Sequence, residues 1–505
     1  MKKIFTYIIA FAMCVCISGC SSAGGISTFS AAVEKMPSNF DPQIASSPED
    51  LLVINNIFDG LFEIKNGEPV ENIAQEYNIS ADGKTYTITL KSDNVFHCRG
   101  KHKENFNNTA VTAQDFVFAM NRVLDPRTHS PYAEDFSNVL SVNASDDHTL
   151  IIKLKNADFN FAEKLAMPAA FPCNEEFFYL TGGAYGLTLD NILSNGPFML
   201  NYLDSEGGNA TIIRMTDAEG SIERIRIKQA ESSAQASSYL EEEISGYFAF
   251  SSQKSRLSAT SEMSFDSGNI CLIFNMEKEV FKNEKIRQAL GWYAFGFKNS
   301  GANMAAVSPA HSVFPGTITI AGEYIDTLIT AEQPEYLSQQ PKGLIQSGLS
   351  EMGISRLDSV SVLMPSDSMY TLIYENINQL WQKNLGQFFT VEYLPSTQIK
   401  QRVEKGEFDM VFLPLTPDNS TPYGILDKFT PYSSTLNETV RSAKSLSDQK
   451  KAVDKISQAQ DLILERAMVV PMGAEQTVFY YRDYFHNILI DPFTNVINLK
   501  YATVK

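Results

Sequence analysis

Hydroxyl and apolar side chains alternate strictly along residues 85–90, TYTITL. This period of two is typical of a strand with one buried face, and the Asp82-Gly83 pair before it is a turn signal. The tripeptide at 83–85 resembles the end of a phosphate-binding loop, but Asn78 stands where that loop requires a glycine. The pattern therefore predicts a strand and excludes a phosphate-binding loop here. A second strand is predicted at 148–154, HTLIIKL.

Residues 113–124 follow a helical period instead. Apolar side chains recur there at helical spacing, at Phe116, Met120 and Val123. Thr112 is a suitable N-cap, and Asp125 precedes a proline and so avoids helical backbone angles. We therefore predict a helix that begins after Thr112 and ends before Asp125.

The later part of the chain alternates strands with helices. The predicted strands are 358–364, 387–394 and 408–415, and the helices between them are 370–386 and 396–406. Strand–helix–strand order at this spacing favours a parallel sheet covered by helices.

Two more helices are predicted with one apolar face each. One follows the N-cap Asn283, and the other covers 447–467. After the second helix, the segments MVVPMG and TVFYY are predicted to return to sheet. Such apolar faces are core-forming stripes, so the simplest assembly is two sheet-based lobes with a ligand cleft between them.

The N-terminus has the composition of a secretory signal peptide: two lysines, an apolar run too short for a comfortable membrane span, and small residues before Cys20. This end resembles the bacterial lipoprotein box, which implies cleavage after residue 19 and acylation of Cys20. Residues 20–27 then form a flexible tether, and the lipid anchors the protein to the membrane. An uncleaved anchor helix is the alternative.

The amino-acid composition and the net charge limit the kinds of partner that the protein can bind. With 44% hydrophobic and 20% charged residues the chain is globular. Removal of Lys2 and Lys3 with the signal takes the formal net charge from −18 to −20, which disfavours nucleic-acid binding. Beyond Cys20, the cysteines are Cys98, Cys173 and Cys271, an odd number that cannot all pair internally. We expect Cys173 and Cys271 to be small core residues.

Several segments carry a family resemblance. NFDPQIASSPEDLLVINNIFDGLFEIKNGEPVENIAQEYNISADGKTYTITL, VTAQDFVFAMNRVLDP, SNGPFML, FKNEKIRQALGWYAF and VEKGEFDMVFLPLTPD occur in this order between about residues 28 and 490. Together they resemble the family 5 solute-binding proteins, the extracellular receptors of peptide-importing ABC transporters.

The resemblance implies an α/β, two-lobed periplasmic-binding-protein-like (type II) fold with an extra subdomain inserted in the first lobe. The expected limits are residues 28–270 plus 475–505 for lobe I, about 61–165 for the inserted subdomain, and 271–474 for lobe II. The implied function is capture of peptides in the inter-lobe cleft and delivery to a permease at the outer face of the cytoplasmic membrane, by a monomer without catalysis or cofactor.

In this family an acid in the cleft meets the α-ammonium of the peptide, and Asp418 matches that position. Leu413, Leu415 and Thr416 would supply neighbouring backbone groups to pair with the peptide main chain. Asp418 is also explained as a turn residue, because DNSTP has Asx-turn chemistry. The family's tryptophan is missing from Leu415-Thr416-Pro417-Asp418, which leaves the ligand class open.

Other functions stay as alternatives. His97, Cys98 and His102 could suggest a metal site, but their spacing matches no recognised ligand pattern, and we interpret residues 97–108 as a polar surface loop. A surface hydrolase would need a nucleophile elbow or a His-Glu-x-x-His motif, and the sequence contains neither. A sensor or adhesion lipoprotein could use the same fold, as could a receptor for a sugar or a chelated metal.

Overall fold

The computed structural model describes residues 27–505, except 66–67, 159–160, 216–219, 231–234, 237–243, 251–259, 298–308, 359, 367, 369, 418–419, 447 and 492. The signal segment and Cys20 therefore lie outside the described residues, and so does Asp418. Within the described part, no helix combines the length and the apolar composition needed to cross a membrane.

The strands run, in chain order, as β1 Thr28–Val33, β2 Phe62–Lys65, β3 Glu68–Glu71, β4 Ala74–Ile79, β5 Thr85–Leu90, β6 His97–Cys98, β7 Val139–Asp146, β8 Thr149–Leu154, β9 Leu193–Ser194, β10 Phe198–Asp204, β11 Asn209–Arg214, β12 Arg224–Gln229, β13 Gly246–Phe250, β14 Thr260–Phe274, β15 Thr319–Ile320, β16 Glu323–Tyr324, β17 Ser361–Pro365, β18 Thr390–Leu394, β19 Met410–Leu415, β20 Val469–Arg482, β21 Phe485–His486, β22 Leu489–Asp491, β23 Val496–Asn498 and β24 Thr503–Val504.

The α-helices are α1 Pro48–Ile57, α2 Lys103–Phe106, α3 Ala113–Leu124, α4 Phe161–Lys164, α5 Glu175–Leu180, α6 Glu279–Lys282, α7 Glu284–Ala294, α8 Ile325–Leu328, α9 Pro341–Glu351, α10 Thr371–Leu380, α11 Ser396–Glu404, α12 Tyr423–Leu426, α13 Ser434–Ser445 and α14 Gln449–Glu465. A π-helical turn, Trp381–Leu385, extends α10 to Gly386, whose positive φ of 66° ends it.

Among the described residues, ten strands form one sheet in the order β10-β11-β12-β1-β13-β20-β14-β19-β17-β18. At one end, β17 pairs in parallel with both β18 and β19. The connections between these three strands contain α10 and α11. The parallel arrangement predicted from the strand–helix alternation is therefore confirmed.

Among the described residues, three large hydrophobic cores, together with two small clusters, occupy successive parts of the fold. Core A takes its buried residues from 29–58, 171–227 and 479–502. Core B takes them from 61–193 and includes the four-stranded sheet β4-β5-β8-β7. Core C takes them from 270–472. The chain thus passes from core A into core B, returns to A, continues into C and ends in A.

Two long antiparallel strands connect core A with core C. The first part of β14 packs against core A through Met263 and Phe265, and its last part enters core C at Ile270. The antiparallel strand β20 runs the other way, from Val469 in core C to Phe479 in core A. Their pairing register shifts between Asp266 and Gly268, midway between the two cores.

Core B is fastened to core A by a buried ion pair. Arg122, on α3, donates to both carboxylate oxygens of Asp41, at 3.1 and 2.5 Å, and to Oε1 of Gln43 at 2.6 Å. Its guanidinium also lies 4.1 Å from the ring centroid of Phe178. Both charged side chains are more than nine-tenths buried. The two motif segments FDP and MNRVLDP therefore meet in a structural contact.

Local predictions vary in outcome. Strand β5 and helix α3 have the predicted limits, and Thr112 and Asp115 form a capping box at the start of α3. The return to sheet predicted for MVVPMG and TVFYY is confirmed, and apart from Met468 both segments lie in one strand, β20. The surface-loop interpretation of 97–108 is confirmed only for its polar residues, since Lys101, Lys103 and Asn105 are exposed. It is wrong for Cys98 and Phe106, which are buried in core B, and for His102, which packs against Phe177.

Candidate functional site

A cavity of about 370 Å³ lies where the three cores meet. Its walls come from residues 46–55, 60–72, 131–171, 317–324 and 489–500, together with Ser420. Core A, core B and core C thus each contribute one side. A concave space of this size between lobes is the usual setting of a small-ligand site.

One wall is closed by a contact between core B and core C. The side chain of Glu163, on α4, accepts hydrogen bonds from Thr319 Oγ1 at 2.7 Å and from the Gly322 backbone N–H at 2.6 Å. Thr319 and Gly322 belong to the β15–β16 hairpin, whose two turn residues both have positive φ. This tight turn brings the Gly322 N–H to the carboxylate.

The environment of Glu163 perturbs its ionisation. Burial is the main cause and raises the pKa of Glu163 to about 7, and the nearby charge of Asp158 acts in the same direction. The hydrogen bonds from Thr319 and Gly322, together with the charge of Lys164, oppose the shift. Near neutral pH this cross-cavity contact therefore includes a carboxyl group that is close to its titration midpoint.

A second wall of the cavity contains Glu63 and Lys500, and neighbouring residues hold both side chains in place. Oε1 of Glu63, on β2, accepts from the Tyr501 hydroxyl at 2.7 Å and pairs with Lys65 at 2.7 Å. The Lys500 ammonium donates to the Phe58 carbonyl at 2.9 Å and pairs with Asp59. Glu63 and Lys500 are both buried, and both line the cavity.

Asp491 lies at the end of β22 in the same cavity. Its carboxylate accepts from the Phe493 N–H at 2.9 Å and from the Thr494 hydroxyl at 2.7 Å. Burial raises the pKa of Asp491. The loop that follows β22 is therefore held by an acid that also faces the cavity.

The site predicted from sequence lies at the end of β19, beside this cavity. Leu413 packs with Leu363, Ile399 and Val411, and Leu415 belongs to core C, so neither side chain is among the described lining residues. Thr416 is exposed. A Cβ placed on Gly268 would lie 3.6 Å from the Leu415 carbonyl oxygen and 3.6 Å from Thr416 Cγ2.

The end of β19 thus lies next to Gly268, near the middle of β14. Glu475 lies at the same point, and burial raises the pKa of its carboxyl. Ser420 already lines the cavity, so the chain between Leu415 and Ser420 leads from core C to the cavity wall. Asp418 lies in this connection but outside the described residues, and its role stays a prediction.

A second cavity, of about 310 Å³, lies between residues 134–164 of the core B region and residues 320–456 of the core C region. Its walls carry the ion pairs of Lys164 with Asp158, at 2.8 Å, and of Lys444 with Asp427, at 2.7 Å. Both of these lysines already contact carboxylates. Core B and core C therefore face each other across a partly hollow, polar boundary.

The sequence analysis did not identify the charged residues of the first cavity. Glu63 and Glu163 each sit inside an apolar segment, FEI and FAEK, where a buried carboxylate interrupts the hydrophobic pattern. That interruption is the available signal. Lys65 lies two residues from Glu63, but Tyr501, the other partner of Glu63, and Thr319, a partner of Glu163, come from distant segments.

A sequence model described as "Bacterial extracellular solute-binding proteins, family 5 Middle" matches residues 68–436. This match covers more than half of the chain, and the protein belongs to this family. The α/β, two-lobed fold class predicted from the sequence is thereby confirmed.

Individual relatives agree with the family assignment. The chain is 24% identical to the dipeptide-binding protein DppE of Bacillus subtilis, over 93% of this chain and 90% of that protein. It is 22% identical to the oligopeptide-binding protein OppA of the same organism, over 92% and 89%. The solved structure of Listeria monocytogenes OppA bound to peptide superposes with a TM-score of 0.70 at 21% identity, covering 95% of this chain and 100% of that chain.

Proposed function

We propose that this protein is a lipid-anchored extracellular receptor that captures short peptides in the cavity between its cores and delivers them to the permease of an ABC importer. The cavity walled by all three cores is the observation that carries this proposal. Its volume is near the lower end for small-ligand sites, which favours a peptide of a few residues. The names of the relatives, dipeptide- and oligopeptide-binding proteins, point to the same ligand class.

The proposed mechanism is closure of two lobes around the peptide. We assign core A and core B to lobe I, residues 28–270 plus 475–505, and core C to lobe II, residues 271–474. Two strands, β14 and β20, cross between the lobes, and the register shift near Gly268 is a suitable hinge. The bonds from Thr319 and Gly322 to Glu163 then hold the closed state.

Binding would combine main-chain and charge recognition. Residues 413–416 lie at the end of β19, whose recorded pairing with β17 stops at Val411. The backbone of Leu413, Leu415 and Thr416 would therefore pair with an extended peptide, which recognises any sequence. Asp418 would receive the peptide α-ammonium.

The peptide leaves chemically unchanged in this proposal, and Cys20 carries the lipid. Native mass spectrometry of the mature protein, purified without denaturation, tests the ligand class directly. We expect co-purified masses that fragment as short peptides. A co-purified sugar or metal chelate would overturn the peptide assignment.

Two further measurements separate the remaining alternatives. Incubation of the purified protein with a peptide mixture, followed by mass spectrometry, should return the peptides uncleaved. A strain that lacks this protein should lose peptide uptake, whereas a sensor or adhesion lipoprotein would leave uptake unchanged.

A further inference from the structure

We infer that the outer face of strands β10, β11 and β12 docks on the anionic phospholipid headgroups of the membrane that holds the lipid anchor. This inference rests on the proposed acylation of Cys20 and adds a defined orientation of the receptor on the membrane. It is carried by the side chains of this face and by the place where the chain enters the fold.

The three strands have one buried face and one open face. Their inner side chains, such as Leu200, Ile212 and Ile225, belong to core A. Residues directly opposite each other on paired strands share a face, so the register of the two ladders brings the remaining side chains together on the outer face. This outer face includes Tyr202, Thr211, Ile213, Arg224, Arg226 and Lys228, all exposed or half-buried.

Strand β12 supplies three cations to the outer face, at every second residue. Arg224 and Arg226 are exposed, and within the described part of the chain neither forms an ion pair. Side chains two residues apart on a strand are separated by about 7 Å. The third cation, Lys228, continues this row. Asp204 is the one acid that the register places on the face, so the face has a net charge of +2.

This local charge opposes that of the whole chain, which is −18. Exposed charges more than about 8 Å apart are largely screened at physiological salt, so the charges of the face itself decide a contact at short range. Asp204 already accepts hydrogen bonds from the Gly207 N–H at 2.8 Å and from the Tyr202 hydroxyl at 3.3 Å. Glu206 and Glu223 are exposed at the two ends of the face. The cations therefore occupy its middle.

Apolar and aromatic side chains accompany these cations. Tyr202 is 49% exposed and lies opposite Thr211, which in turn lies opposite Arg226. Met215, directly after β11, is 41% exposed. Tyrosine is enriched at membrane–water interfaces, because its ring is apolar and its hydroxyl is polar. Cations together with an exposed tyrosine therefore suit a headgroup layer.

The chain enters the fold beside this face. The Ser27 carbonyl accepts hydrogen bonds from the backbone N–H groups of Glu223 and Arg224, at 2.7 and 3.0 Å, and β1 then runs parallel to β12 from Thr28. Ser27 is the seventh residue after Cys20, so the two cannot be more than about 25 Å apart. The proposed anchor thus keeps the outer face close to the headgroups, where a weak attraction is sufficient.

Energy transfer from a dye on the protein to acceptor dyes on lipids measures this contact. The acylated, full mature protein would carry its dye at Ser205→Cys, in the exposed turn between β10 and β11. Cys98, Cys173 and Cys271 are buried and should not react with the dye. The vesicles would consist of phosphatidylcholine alone or of an equal mixture of phosphatidylcholine and phosphatidylglycerol, which is anionic.

We expect the dye to lie closer to the membrane on the anionic vesicles, by up to about 20 Å, the length of a six-residue strand. Raised salt should abolish this approach, because it screens the cations of the face. The triple variant Arg224→Gln, Arg226→Gln, Lys228→Gln should abolish it too. Each substitution should lower the ratio of docked to undocked protein about fivefold. The salt series tests the contact even if the triple variant does not fold.

The control is a second triple variant, Lys342→Gln, Lys383→Gln, Lys405→Gln. These three lysines are exposed and lie in the core C region. The control removes the same amount of charge from the chain as the first variant, and it should keep the wild-type approach to anionic vesicles.

Equal distances on both kinds of vesicle, or an approach that the β12 variant keeps, would overturn the headgroup contact and leave the lipid anchor intact. Purified protein whose mass shows no acyl group, and which does not sediment with either kind of vesicle, would overturn the proposed anchoring itself. The two failures are therefore distinguishable.

Discussion

Two buried acids join core B to its neighbours, and they are satisfied in different ways. Asp41, beside α3, is paired with the guanidinium of Arg122 and fastens core B to core A. Glu163 fastens core B to core C and accepts hydrogen bonds from a hydroxyl and from a backbone N–H, both neutral donors. A buried ion pair is hard to separate, because its charge-assisted hydrogen bonds are strong. A buried acid held by neutral donors is easier to release.

The comparison separates scaffold from moving part. The A–B junction contains the residues that define the motif segments FDP and MNRVLDP, and it behaves as one rigid body in the proposed closure. The B–C junction borders the cavity, and in the proposed closure it opens to admit a guest. The buried ion pair lies in recognisable motif segments, whereas the contact that opens in the proposed closure has no motif.

Substitution of Arg122 is the change with the largest expected effect. Arg122→Met leaves Asp41 buried without its cation, which typically costs about 3–5 kcal/mol of unfolding free energy. Thermal unfolding of the purified protein measures this. Arg127→Met is the control, because Arg127 forms an exposed pair with Asp125, and it should leave the melting temperature unchanged. Equal melting temperatures for both variants would contradict the structural role of the A–B junction.

Loss of the predicted contact between Asp418 and the ligand should have the second-largest effect. Asp418→Ala should cost about 2–5 kcal/mol of peptide binding free energy, if it leaves the peptide ammonium buried without a partner. Calorimetric titration with a tripeptide gives the value, and Asp427→Ala, at an exposed ion pair with Lys444, is the matched control. Unchanged affinity would remove Asp418 from the site and leave it a turn residue.

Removal of the B–C contact should have a smaller effect, confined to binding. Glu163→Ala deletes two hydrogen bonds across the cavity and should weaken tripeptide binding by about 1–2 kcal/mol, roughly 5- to 30-fold. Calorimetry measures the loss, and thermal unfolding of the unliganded variant should shift far less than that of Arg122→Met. If Glu163→Ala lowered the melting temperature but left peptide affinity unchanged, the B–C contact would be structural and would not be the contact that opens.

Changing the pH should give the smallest and most specific effect. In the closed structure the pKa of Glu163 is about 7, whereas an exposed glutamate has a pKa near 4.5. Between pH 4.5 and pH 7, Glu163 is therefore mainly protonated in the closed state and mainly ionised in the open state. Closure is favoured at the lower pH, and tripeptide affinity should fall as the pH rises from about 5 to 7, by at most about tenfold per unit.

The variant Glu163→Gln is the control for this pH dependence. It carries no titrating group at this position, so its affinity should be nearly constant over the same range. If the pH dependence of the variant equals that of the wild type, another group is responsible.

Local structure was predictable where the pattern is local. Helix α3 has its cap, apolar face and stop within the segment 112–125, and its limits were predicted correctly. The long strand β14 was not predicted, because it passes from core A to core C. Its first half is partly exposed and polar while its second half is buried, so no single period describes it.

The cavity was not predictable for a related reason. Its wall brings together Glu63, Glu163, Thr317 and Asp491, which lie far apart in sequence and share no spacing. Sequence motifs located the neighbouring end of β19, because that segment is continuous. Charged groups that meet only through tertiary packing leave no signature except an acid within an apolar segment.

Small-angle X-ray scattering of the mature protein, with and without a broad mixture of di- to pentapeptides, tests the central claim most directly. The account predicts a smaller radius of gyration with peptide, matching the closed arrangement in which Glu163 contacts Thr319 and Gly322. Glu163→Ala should need more peptide to reach the same curve. Identical curves with and without peptide, together with no bound peptide in native mass spectra, would contradict it.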